Sequence, residues 1–239
     1  ALDKSAYREQ LAGLMSRFAE VAARNPYAMF EAPATLEAIR DESQKNRMIS
    51  DPHLKSMVAK DGVNQAAALV MTRYETAESL GVADRAIFLH GHATGSEPAV
   101  LNRPSLAQAE SMTAAYHGAL RNAGIEAHQL GAMDLYSCFP IAVWCAMDAL
   151  GVTLDDPRPL TLTGGLSFFG GPGNNYSTHG IAEMVHWLRA RSEPSYGLVG
   201  ANGGYLSKHA VGVYANVSSP FPEPVSEPGP ATPVETIEK

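Results

Sequence analysis

The sequence predicts a layered α/β protein, and three observations carry that reading. From about residue 61 to residue 217, short apolar runs alternate with amphipathic stretches of helical period. The apolar runs leave into glycine, proline or asparagine, as strands do at a sheet edge. With 45% hydrophobic residues over 239 positions, the chain has enough apolar material to bury a substantial core.

The elements follow in order. Residues 5–24 put Leu11, Leu14, Phe18 and Val21 on one helical face behind Ser5 as a cap. Residues 25–54, interrupted by Pro26, Pro33 and Pro52, read as a long irregular excursion with at most one short helix near 35–40. The run GVNQAAALVMT, residues 62–72, suits a buried strand, and YETAESLG, 74–81, a helix stopped by Gly81. RAIFLHGHATG, 85–95, is a second strand. SLAQAESMTAAYHGALRNAG, 105–124, is a helix of about five turns ended by Gly124. A strand over 130–140 ends at Pro140 and is followed by a helix over 141–151. PLTLTGG, 159–165, is a further strand, and the helix after it spans 177–191. Residues 196–217 read as two strands joined by a glycine hairpin. Residues 218–239, with six prolines and scattered acids, read as a linker or tail.

Charge and cysteine usage narrow the function classes. A net charge of −7 without any Lys/Arg block argues against a nucleic-acid or anionic-membrane surface, because both need clustered positive charge. Cys138 and Cys145 sit among apolar neighbours and read as reduced thiols rather than a disulfide framework. No apolar run reaches the length of a membrane span, and the N-terminus lacks a basic-then-apolar signal layout, so the expected location is the cytoplasm. The chain opens on Ala1, which fits methionine removal and equally a piece of a longer protein.

Four loops leave the expected strands with polar groups: HGHATGSE (90–97), YSCF (136–139), GGPGNNYSTH (170–179) and ANGGYLSKH (201–209). In open α/β sheets such loops wall the ligand crevice at the carboxyl ends of strands. The third belongs to a stretch, 162–180, that spends six glycines and two adjacent asparagines on one turn. It is neither a P-loop, since no Gly-Lys-Ser/Thr follows, nor a dinucleotide fingerprint, since the G-x-G-x-x-G spacing is missing. It reads as a thin backbone approaching an acyl group, with Asn174, Asn175 and helix-start N–H groups as donors to a carbonyl or oxyanion. Tyr136, Ser137, His179, Asn202, Lys208 and His209 are the other polar groups expected at that mouth. A phenol near an imidazole could serve as an acid/base pair. His90 and His92 find no cysteine or carboxylate to complete a ligand set, so no metal is expected.

The order DLYSCF, GGLSFFGGPGNNYSTHGIAEMV, ANGGYLSKHAVGVY resembles the C-terminal half of the thiolase superfamily, closest to the sterol-carrier-type and acetyl-CoA acetyltransferase-like proteins. The resemblance covers residues 61–217. It implies two mixed five-stranded sheets packed through central helices, of which this chain supplies one half. On that pattern residues 1–60 are a loop-domain remnant with an N-terminal helix, 61–85 the last strand and helix of the N-terminal domain, and 86–217 the C-terminal domain. It implies an acyl-CoA thioester as substrate with no further cofactor, a role in lipid metabolism, and association with an N-terminal half, a partner chain or a second copy.

Three family motifs depart from the active pattern. YSCF places Tyr136 and Ser137 where the family has Asn-Glu or His-Asp. GGP places Gly171 where a histidine activates the nucleophile, and ANGG places Ala201 where an acid/base cysteine stands. The family's nucleophilic cysteine lies in the N-terminal half, and neither Cys138 nor Cys145 matches it. By this resemblance Tyr136, His179, Ser137 and His209 are the candidate catalytic residues, and Asn174, Asn175, Gly171, Gly173, Asn202 and Gly203 the candidate substrate-binding ones. Three functions stand open: a thiolase-like acyltransferase portion, a non-catalytic acyl-CoA-binding scaffold, and a retro-aldol carbon–carbon lyase using Tyr136.

Overall fold

A computed structural model describes residues 3–31, 35–106 and 108–218. Asp3, not Ser5, caps the first helix, α1 (Lys4–Ala22), by accepting the N–H groups of Ser5 and Ala6. Leu11, Leu14 and Phe18 are fully buried on one face, as the spacing requires. The excursion that follows holds α2 (Leu36–Arg40), capped by Thr35, and the small antiparallel ladder β1 (Met48–Ser50) with β2 (His53–Leu54). Asn46 organises this excursion: its amide donates to the carbonyls of Ala38, Ile39 and Asp41 and its Oδ1 accepts from Ser56.

The segment 62–72 departs from expectation. It is not a buried strand: it carries no regular secondary structure, its residues are exposed or half-buried, and Val70 and Met71 stand 97% and 76% exposed. The branched, small residues suit a strand, but among the described residues no strand pairs with it to complete its backbone bonds. Helix α3 (Tyr74–Ser79) follows and ends at Gly81, whose φ of 68° is the left-handed conformation glycine favours.

The main sheet contains β3 (Phe88–Ser96), β4 (Leu130–Asp134), β5 (Tyr196–Gly203) and β6 (Lys208–Ala215) in the order β3-β6-β5-β4. β6 is antiparallel to both neighbours and β4 runs parallel to β5, so β3, β4 and β5 all rise toward one end of the sheet. A register shift between Leu89 and Gly91 leaves His90 buried and His92 exposed. The expected strand over 159–165 does not form. The carbonyls of Pro159 and Leu160 accept the N–H groups of Met133 and Leu135 along the free edge of β4, and then the Asp134 carboxylate takes the N–H groups of Leu162 and Thr163.

Helices cover both faces. α4 (Glu110–Ala123) lies on one, so close that a Cβ on Gly91 would meet the Ala119 carbonyl at 2.4 Å. It begins five residues later than expected because the Glu97 carboxylate takes the N–H of Ser111 in its first turn. α5 (Pro140–Leu150) packs against α4, and α1 against α5, and together they complete the large core. α6 (Gly165–Phe168) is a single turn. α7 (Tyr176–Arg189) covers the other face, where Met184, Leu188, Ala132 and Val199 form a second core. The hairpin between β5 and β6 turns through Gly204 and Leu206, both at positive φ. The tail expected over 218–239 lies almost wholly outside the described residues.

Candidate functional site

β4 delivers its successor loop to the rising end of the sheet, and four residues there have distinct fates. Asp134, fully buried at the strand's last position, accepts at Oδ2 from the Thr161 and Thr163 hydroxyls and the Leu162 and Thr163 N–H groups. Tyr176 donates to its Oδ1 at 3.3 Å and shares a 2.7 Å bond with Thr163. Burial pushes the Asp134 carboxyl above the usual carboxylate range, against the pull of those donors. Ser137, also fully buried, accepts the Leu166 N–H at 3.0 Å and so ties this loop to the glycine loop.

Tyr136 is half-buried, its ring edge-on to Tyr176 with centroids 5.4 Å apart, and burial raises its phenol pKa. Cys138 lies beside it, with its thiol 3.6 Å from Oδ1 of Asn202 on β5. Burial raises the thiol pKa, so Cys138 is a protonated donor at neutral pH. Asn202 pairs across the ladder with His209 on β6, and Gly203 with Lys208. His209 is 3% exposed, and burial lowers its pKa although Glu97 acts to raise it. The Asn202 amide nitrogen is buried without a hydrogen-bond partner.

The glycine loop reaches this mouth, and its glycines serve the protein's own packing. Gly164, at φ 102°, lies where a Cβ would stand 2.4 Å from Cβ of Ala22; Gly165, at φ 79°, would strike Phe18 and the Ser137 hydroxyl. Gly171 is buried and donates its N–H to the Lys60 carbonyl, while Lys60 and Ala59 donate theirs to Leu166 and Cys138. Gly173 and Asn174 are exposed in the turn before α7; Asn175 is half-buried at the α7 N-cap, with no side-chain capping bond.

Two groups of candidates therefore emerge. At the ends of β4 and β5 Cys138 contacts Asn202, which pairs with His209 across the ladder, and Tyr136 lies beside Cys138 with its ring on Tyr176. His179 stands apart in the first turns of α7: Phe169 and Tyr176 lie between it and Tyr136, with Phe169 5.3 Å from His179 and 6.4 Å from Tyr176. Sequence reasoning missed Cys138, which it took as core, and Asp134. The apolar neighbours of Cys138 hid the first. An acid closing an apolar strand, with a Thr-x-Thr run beginning 27 residues further on, was the available signal for the second.

Among the described residues no group of three or more His, Cys, Asp or Glu side chains could hold a metal ion, and no helix is long and apolar enough to cross a membrane.

This arrangement matches solved structures. A monomeric SCP2-thiolase-like protein type 1 from Mycobacterium smegmatis superposes with a TM-score of 0.86 at 45% sequence identity, over 91% of this chain and 48% of that one. The dimeric peroxisomal thiolase of Saccharomyces cerevisiae superposes with a TM-score of 0.63 over 87% of this chain and 55% of that one. At 13% identity, that second likeness shows the fold alone. No protein-family model matches the sequence, and no curated protein does. The chain belongs to the thiolase superfamily, as a sterol-carrier-type half. It spans about half the length of the mycobacterial protein.

Proposed function

We propose that the chain forms the C-terminal part of an acyl-thioester site, binding acyl-CoA at the ends of β4 and β5 and needing a second thiolase half to turn over. The observation that carries this reading is the contact of the Cys138 thiol, beside Tyr136, with the Asn202 amide oxygen at the rising end of the sheet. A protonated thiol, a phenol and an amide nitrogen with no protein partner suit a thioester carbonyl and the charge that develops on it. Tyr136 and His209 would handle protons there, with Asn175 and the N–H groups opening α7 beside the acyl group. Ser137 and Gly171 act by shaping the loops, since both are buried and bonded to backbone. His179 remains a candidate only if substrate reaches past Phe169.

The need for another half is supported by the segment 62–72, whose backbone has no strand beside it and whose Val70 and Met71 face outward. The test is to supply the portion of the mycobacterial protein that this chain does not match and follow acetyl transfer between acetyl-CoA molecules. Acetoacetyl-CoA formed only by the mixture supports the reading. A mixture that forms a complex yet transfers nothing favours the scaffold reading, to which the glycine at 171 and the alanine at 201 also point. The lyase reading rests on Tyr136, half-buried with its ring edge-on to Tyr176: aldehyde release from a β-hydroxyacyl-CoA that survives Tyr136→Phe at full rate removes it.

A further inference from the structure

Glu97, one residue past the end of β3, lies on the same face of the sheet as His209. Its N–H bonds the Ser207 carbonyl at 2.9 Å, which continues the β3–β6 ladder beyond the pair Ser96 and Lys208 and makes Glu97 the diagonal neighbour of His209. Diagonal pairs have Cβ atoms roughly 7 Å apart, within reach of a glutamate side chain. α4 fixes the face. The Glu97 carboxylate accepts the Ser111 N–H at 2.6 Å, and a Cβ on Gly95, the residue directly across from His209, would meet the Ser111 carbonyl at 2.3 Å. His209 alternates along β6 with Val211 and Val213, which lie in the large core that α4 covers. The first turn of α4, pressed onto Gly95, therefore holds the carboxylate beside the His209 ring.

On the other side of His209 stands Asn202, its direct partner on β5, with Cβ atoms about 5 Å apart for such a pair. The Asn202 oxygen receives the Cys138 thiol, while its amide nitrogen and both His209 ring nitrogens make no hydrogen bond. Burial opposes a charged ring most strongly; the Glu97 carboxylate and the Leu206 carbonyl favour a proton on it, and the Arg103 guanidinium opposes one. Arg103 is itself engaged by the carbonyls of Pro98 and Tyr205 and the Ser207 hydroxyl, and among the described residues Glu97 forms no ion pair. The charge of Glu97 is thus left to act on the ring. A neutral imidazole has one donor and one acceptor nitrogen, and a carboxylate on one side selects which is which. We propose that Glu97 is a positioning residue of the thioester mouth: it holds the His209 N–H on its own side and leaves the basic ring nitrogen toward the Asn202 amide. Asn202 then keeps its oxygen on the Cys138 thiol and has a second N–H for a thioester carbonyl. That last role rests on the acyl-thioester reading, whereas the coupling of Glu97 to His209 does not. Bonds of this kind are often long in unliganded sites and close when substrate binds.

The experiment is NMR of the protein labelled in its histidine rings and glutamate carboxyls, titrated from pH 8 to pH 5 without acyl-CoA. The expected result in the unmutated chain is a single His209 tautomer and a Glu97 carboxyl resonance that moves as His209 titrates. Glu97→Gln keeps an oxygen for the Ser111 N–H and removes only the charge; it should mix the tautomers and lower the His209 pKa by roughly half a unit or more. Glu110→Gln, a charge change in the same turn of α4, should do neither. A Glu97 carboxyl that ignores His209, an unchanged tautomer in Glu97→Gln, or an equal effect of Glu110→Gln overturns the proposal. Glu97→Gln should also weaken acetyl-CoA binding severalfold, and unchanged affinity overturns the positioning role. If the unmutated chain binds no acetyl-CoA at Asn202, the thioester reading fails while the His209 signatures stand.

Discussion

Ser137 Oγ accepts the backbone N–H of Leu166 at 3.0 Å, so one buried hydroxyl joins the loop after β4 to the glycine loop 29 positions further on. The two walls of the mouth are therefore one mechanical unit. Replacing Ser137 with alanine leaves the Leu166 N–H buried and unpartnered, which should destabilise the protein by about 1–3 kcal/mol. Asp134→Ala removes the acceptor for five donors and should cost more, on the order of 3 kcal/mol or above. Urea unfolding midpoints check the order.

The glycines of the loop should divide by environment. Gly164→Ala combines a φ of 102° with a Cβ 2.4 Å from Ala22 and should cost about 1–3 kcal/mol through overpacking in addition to backbone strain. Gly173→Ala meets nothing within 4 Å at a φ of 57° and should cost about 1 kcal/mol. Thermal unfolding of the two variants side by side reads the difference.

Three histidines give stability an acid dependence. Burial is the largest cause lowering the pKa of His53, His179 and His209 below the ordinary 6.5. The unfolded chain then binds protons that the folded chain resists, so their contribution is present above pH 6.5 and is lost as pH falls through the folded values. Unfolding midpoints at pH 8 and pH 5.5 should differ in that direction, and His209→Gln should reduce the difference.

Much of the architecture was legible in the sequence because its signals were local. Gly81, Gly124 and Gly151 end helices at positive φ, and the 3.6-residue spacing of Leu11, Leu14 and Phe18 marks a buried face. What failed depended on neighbours. Residues 62–72 have strand chemistry, but a strand exists only beside another. The run 159–165 has strand chemistry too, yet the Asp134 side chain captures the N–H groups a ladder would have used. Likewise the sequence grouped Tyr136 with His179 by loop order, whereas Phe169 and Tyr176 stand between them. The Cys138 contact with Asn202 joins residues 64 apart and leaves no local trace.

Cys138 should be a slow nucleophile. Its thiol is raised by burial, so iodoacetamide should alkylate it more slowly than free cysteine at pH 7.5, with the rate climbing only at higher pH. Peptide mapping of the modified protein distinguishes it from Cys145, which burial also raises.

The central claim is that an acyl thioester sits against Asn202 and Cys138. Titrating acetyl-CoA into the labelled protein while observing the Asn202 side-chain amide and the Gly203 backbone amide tests it most directly. The account predicts saturable shifts at both, with the Gly203 shift lost in Asn202→Leu, while free acetate produces none. Shifts absent at saturating acetyl-CoA, or confined to residues remote from the ends of β4 and β5, would contradict it.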